Sequence, residues 1–233
     1  MRGCLTILLL AAAFLVGGLW FGGPPLAGAV VQASLTGSGF RADDLRIVVS
    51  ADPPLKLALG RADRVAIDAT GVHWNSVAAG SLSLVLGQVD LVGRTAATAS
   101  GTIDRVELTG SDAAPVFVRI ALSGPAQAAP TTISVEKATI EGMARAGFRR
   151  AFKIDPDVVE LIAPNLLRVG VAGKTLTGRL AIDQAGALVA ASDLGTIRLV
   201  EPNPSIPLKL TSVSVEAAGL ELLGTLDVAA LIH

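Results

Sequence analysis

Residues 81–91 read Ser81-Leu82-Ser83-Leu84-Val85-Leu86-Gly87-Gln88-Val89-Asp90-Leu91. Leucine returns at every second position up to Leu86, and the alternation resumes at Val89 and Leu91 with its parity shifted at Gly87. A period of two places alternate side chains on opposite faces of an extended strand. A glycine at the slip reads as a bulge or a bend. The same period occurs upstream in Leu45, Ile47, Val49, in Leu55, Leu57, Leu59, and in Val65, Ile67. Downstream it continues through Val106 and Leu108, the row Val116 to Leu122, the row Leu167 to Val171, Leu180 and Ile182, and Ile197 and Leu199. The last rows are Leu208 and Leu210, a second slip at Thr211-Ser212, Val213 and Val215, and Leu220 to Val228. Separated by Gly, Pro, Asp and Asn turn signals, these rows predict about ten to twelve strands.

One stretch departs from the rule. Between about Glu136 and Lys153 the residues Ile140, Met143, Gly147, Phe148 and Phe152 recur at helical spacing. Ser134 is placed to cap this helix and Asp155-Pro156 to stop it. The expected fold class is therefore α+β, mostly antiparallel β: a curled sheet packed on one main helix at about 137–153. The positions facing away from the main rows are often small or apolar, such as Ala58, Phe117, Ala121 and Leu223. A wide sheet must curl or close, and an exposed apolar concave face marks a binding site or a membrane contact.

The start of the chain has a different character. Arg2 precedes an apolar run from about Leu5 to Phe21, followed by Gly22-Gly23-Pro24-Pro25 and the small residues Ala27-Gly28-Ala29. A basic start, an apolar stretch and an A-x-A-like site describe an export signal, with cleavage after Ala29. The run is also close to the ~20 residues that span a bilayer. The reading is thus a signal peptide or N-terminal membrane anchor at 1–29 and a single β-rich domain at 30–233. The protein is expected to be exported to the cell envelope, a periplasm-like space or the exterior, tethered if the segment is retained.

Composition limits the chemistry. The 233 residues are 51% hydrophobic and 17% charged, which excludes a disordered chain. The 19 basic and 20 acidic side chains leave no basic excess, so no nucleic-acid partner is expected. Cys4, the sole cysteine, excludes a disulfide scaffold. With two histidines, His73 and His233, and no nucleophile-elbow, zinc or phosphate-loop motif, no catalytic residue, metal site or cofactor is expected. Asp43-Asp44 and Asp155-Pro156-Asp157 read as turn and cap residues. The basic cluster Arg145, Arg149, Arg150 and Lys153 beside Phe148 and Phe152 has two readings. It suits the negative end of a helix dipole, and it suits a phospholipid headgroup.

The order of several segments resembles the LmeA-like phospholipid-binding proteins of the bacterial cell envelope. These are Ser38-Gly39-Phe40-Arg41-Ala42-Asp43-Asp44-Leu45, then Pro53-Pro54-Leu55 to Gly60-Arg61, Ala69-Thr70-Gly71-Val72, the 138–143 segment and the final Leu208 to Val215 hairpin strand. The resemblance covers about residues 38–228 and implies an exported lipid binder with a curved β-rich fold and an apolar groove, comparable to tubular lipid-binding domains. The chain departs from the family at Val30 to Gly37, which is short and uncharged where relatives carry a basic helix-forming stretch. A shallower groove, or one built by the Ile140–Phe152 helix, is the expectation.

Together these readings describe a non-enzymatic phospholipid-binding protein whose partners are phospholipid and a membrane surface; no protein partner is identifiable. Ile140, Met143, Phe148 and Phe152 are the expected acyl-facing residues, and Arg145, Arg149, Arg150 and Lys153 the expected headgroup residues. The rivals are an envelope assembly protein that binds a partner through its sheet, and an enzyme acting on envelope glycolipids for which no carboxylate stands out.

Overall fold

The computed structural model describes residues 26–33, 35–37, 39–74, 77–108, 116–193, 195–200 and 206–232. Most of the expected leader therefore lies outside the described residues. Helix α1 comprises residues 26–33 and 35–37. After it come β1 (Phe40–Arg41), β2 (Asp44–Ser50), α2 (Leu55–Ala58), β3 (Arg61–Trp74), β4 (Val77–Asp90), β5 (Thr95–Leu108), β6 (Val116–Pro125) and β7 (Ala129–Glu136). Helix α3 (Lys137–Phe152) leads to β8 (Val158–Ile162), β9 (Leu166–Val171), β10 (Lys174–Ile182), β11 (Leu188–Ser192) and β12 (Gly195–Val200). The chain returns through β13 (Leu208–Glu216), β14 (Gly219–Leu226) and α4 (Val228–Ile232).

The fold is α+β and mostly antiparallel β, as the period of two requires. The strands divide between two sheets: nine in the order β1-β3-β4-β5-β6-β7-β14-β13, with β2 also along β3, and five in the order β12-β11-β10-β9-β8. The row Leu55, Leu57, Leu59 is not a strand. It forms the single turn α2, closed by Leu59 N–H to Lys56 O and Gly60 N–H to Leu57 O, each 3.0 Å. Pro53-Pro54 ahead and Gly60 behind leave no room for a ladder. The α3 prediction matches the observed helix, but its N-cap is Glu136 without a side-chain bond, and Ser134 belongs to β7.

Two creases curl the large sheet. On β3 the buried positions run Ala62, then Val65, Ile67 and Ala69, then Val72, so the inward parity changes twice. Strand β4 changes with it. Val89 lies opposite Ala62, Leu86 opposite Val65, Leu82 opposite Ala69 and Ala79 opposite Val72. On β5 the same levels hold Ala96, Ala99, Ile103 and Val106. Because all three strands slip at matching levels, their ladder stays in register while the surface folds across it. The slips coincide with left-handed backbone at Gln88 (φ 51°), Gly71 (φ 58°) and Arg105 (φ 55°). The expected parity shift at Gly87 is the lower crease, and the expected slip at Thr211-Ser212 is a register shift between Leu210 and Ser212.

The upper end of the curl has a solid core. Helix α3 packs against β7 and β14 on one side and β8 and β12 on the other. Ile140, Ala144, Phe148, Leu161, Leu167, Leu180, Leu188 and Leu220 are buried together there. Gly147 lets β12 approach, since a β-carbon on it would lie 3.2 Å from Ile197 Cγ2. At the lower end small residues line the inside of the bend, and Ala99, Ala126 and Ala129 are fully enclosed.

Gly101 marks how tightly β5 lies on β4: a β-carbon there would collide with the Ser83 carbonyl and come within 2.9 Å of Leu84 Cα. Gly101→Val should lower the denaturant midpoint by the equivalent of about 1–3 kcal/mol. Gly142→Ala, in the open interior of α3 with nothing within 4 Å, should raise it by about 0.4–1 kcal/mol.

Candidate functional site

One continuous apolar cavity of about 700 Å³ runs along the concave face of the large sheet. Its floor is the inward rows of β3 and β4, from Val65, Ile67 and Trp74 to Leu82, Leu84 and Leu86, with Ile103 and Leu122 beside them. Val228 of α4 closes one end, and Phe40 and Trp74 stand at the other. The volume sits within the ~300–1,000 Å³ typical of small-molecule sites. A water fills about 30 Å³ of liquid and a methylene is of similar size, so roughly twenty carbons fit.

Helix α1 is the roof. Ala27, Val31 and Leu35, spaced by four, pack down on the lower core. Val31 and Leu35 also line the cavity, with Val30, Ala33 and Gly37 beside them. Val30, Ala33 and Gly37 are also exposed, as are Arg94 and Thr95 of the lining. The opening therefore lies between α1 and the β4–β5 turn at 91–94. An uncharged segment is well suited to cover an apolar space.

Polar groups gather at one end. Asp90 Oδ1 accepts the backbone N–H groups of Val92 (3.0 Å) and Gly93 (2.8 Å), so this carboxylate shapes the turn. Arg94, in left-handed backbone (φ 52°), is the other ionisable side chain of the lining. The described residues offer it no ion pair or hydrogen bond. A buried apolar channel with one uncommitted guanidinium at its mouth suits an amphiphile with an anionic head.

The expected acyl-facing set lies elsewhere. Ile140 and Phe148 are buried in the upper core; Met143 and Phe152 pack against it. The Phe148 and Phe152 rings are 4.6 Å apart. None of the four lines the cavity, because the five-stranded sheet already covers the apolar stripe of α3. The expected headgroup set is likewise tied into local structure rather than to the cavity. Arg145 Nη1 donates to Pro156 O (2.8 Å), Arg149 Nε pairs with Asp155 (3.6 Å), and Lys153 is the left-handed C-cap whose N–H bonds Arg149 O (2.8 Å). Arg150 does not line the cavity either. The helix-dipole reading accounts for Arg149, Arg150 and Lys153. The cavity walls come from elements distant in sequence, and the uncharged stretch Val30 to Leu35 is its one local sign.

At the lower end α2 is clamped to β3. Asp63 accepts Lys56 Nζ (2.8 Å) and the Asp52 N–H (2.6 Å). The Lys56 hydrogen bond, then that N–H, hold the Asp63 carboxyl below its ordinary value, slightly offset by desolvation. Comparison with protein families, curated proteins and solved structures gives no match, so the family resemblance rests on the quoted residues alone.

Two outcomes follow from this geometry. Ile140→Ala, at a position only 1% exposed, should cost about 2–5 kcal/mol in denaturation while leaving the cavity's ligand capacity intact. A carboxyl held below its normal value stabilises above the ordinary range of about 3.9 and loses that contribution as acid protonates it. Amide protection factors across residues 52–60 should therefore fall below about pH 4 in the native chain, and already at neutral pH in Asp63→Asn, with the global midpoint little changed.

Proposed function

We propose that this protein is an exported, non-enzymatic phospholipid-binding protein of the cell envelope. Its cavity holds an acyl chain under α1, and Arg94 meets the phosphate at the opening. The observation that carries this reading is the cavity itself: long, apolar on floor and roof, and charged only at one end. The leader composition supports export. The charged outer surface, with Arg119 paired to Asp104 at 3.0 Å and Arg105 stacked 5.1 Å over Phe117, gives the assembly-protein alternative less support.

The energetics fit a carrier. Burying a methylene from water gains about 0.8 kcal/mol, but a chain drawn from a bilayer was already shielded. Exchange between membrane and cavity is therefore close to balanced, and specificity falls to the headgroup contact. Mass measurement of the purified native chain should find phospholipid. Leu84→Trp, which fills the cavity from its floor, should reduce that lipid about tenfold or more without loss of folding, a change of ~1.4 kcal/mol or above. Arg94→Glu should weaken uptake of anionic lipid by a similar factor. A native chain free of lipid, and unable to take any up from vesicles, would refute the proposal.

A further inference from the structure

We infer that the end of the molecule formed by α2 and the β4–β5 turn docks on a lipid bilayer and turns the cavity opening toward it. This rests on the lipid-binding reading of the cavity but concerns a different surface. Leu55, Leu59 and Val92 are 60%, 69% and 80% exposed. They form one patch: Leu55 and Leu59 flank a single turn, Leu91 N–H bonds Gly60 O at 2.7 Å, and the Val92 side chain lies over Gly60, where a β-carbon would come within 2.5 Å of it. Leu57 of the same turn packs inward, so the turn has a buried side and still presents two leucines to solvent. The Lys56–Asp63 clamp fixes that presentation.

The direction of α1 selects a membrane as the occupant. A β-carbon on Gly28 would lie 3.7 Å from Ile47 O, and Ile47 is opposite Ile67 in the middle of β3. From there α1 runs toward Phe40, which pairs with Trp74 at the far end of β3. The start of α1 therefore points to the Gly60 end, where β3 begins. Leu26 at that start is 70% exposed, and the sequence just upstream contains the apolar run Leu5 to Phe21. Of the ten large apolar side chains exposed among the described residues, five belong to α1, α2 with its flanking Leu59, and the 91–94 turn. Behind Val92 stands Arg94, uncommitted within the described residues. Aliphatic tips backed by a guanidinium match an interfacial contact, in which the tips enter the headgroup layer and the cation stays among phosphates.

The test uses the full chain with Cys4→Ser and one new cysteine at a time: Leu59→Cys, Val92→Cys, or Lys174→Cys on β10 as a distant reference. Each carries an environment-sensitive fluorophore. The vesicles are phosphatidylcholine and phosphatidylglycerol containing a chain-labelled quencher. Positions 59 and 92 should shift to the blue and be quenched severalfold, with position 174 unchanged. Vesicle-bound protein whose labels at 59 and 92 are no more quenched than at 174, or respond only to an added protein, overturns the docking. Leu55→Asp with Val92→Asp should slow lipid uptake from vesicles severalfold while leaving the co-purified phospholipid unchanged; unaltered uptake also overturns it. Quenching at 59 and 92 in a chain that holds no phospholipid supports docking and refutes the lipid-binding reading instead.

Discussion

The curl of the nine-stranded sheet controls everything else in this molecule. A sheet bent twice along matching levels of β3, β4 and β5 has a concave side much longer than one helix can cover. The chain supplies three covers of unequal thickness. Helix α3 and the five-stranded sheet fill the upper end as far as the Phe40 and Trp74 wall of the cavity. Helix α4 and the alanine-lined bend close the lower end. Only α1, with Val31 and Leu35 over the floor and Val30, Ala33 and Gly37 at the rim, spans the stretch between, and a single helix leaves the hollow.

This arrangement explains why two apolar stripes of similar appearance have different fates. The stripe of α3 meets a second sheet whose buried face is Val159, Leu161, Leu167, Val169, Leu180 and Leu188. That sheet covers the stripe, and near the helix end Arg145 and Arg149 reach Pro156 O and Asp155 of the following loop. The stripe of α1 meets the open floor of the sheet. Greasy character alone does not distinguish packing from binding; the volume of what lies opposite does.

The same contrast sets how much was legible from residues. Rows such as Leu82, Leu84, Leu86 announce strands because one face must be dry, and the Gly87 slip announces a bend because parity has to be restored. Strand β7 escaped notice because Thr131, Thr132 and Ser134 dilute its period, and the start of β5 because Thr95 to Gly101 is small and polar. The α2 row was misread since a period of two over five residues does not separate a strand from a single turn. Helix α3 was found, but which element would cover it depends on contacts between residues far apart in the chain. The cavity draws on β1, β3 to β6, β14, α1 and α4, so no local window contains it.

Helix α1 is the roof of the hollow, and in sequence it follows the apolar run Leu5 to Phe21 after Gly22-Gly23-Pro24-Pro25. Within α1, Leu26 and Val30 stand about one helical turn apart, since ~1.5 Å separates successive residues along the axis. Trimming after Ala29 would remove Leu26 to Ala29, the first turn of α1, yet spare Val30, Val31, Ala33, Leu35 and Gly37 of the cavity lining. A cut there would leave the roof residues in place but shorten the helix that carries them.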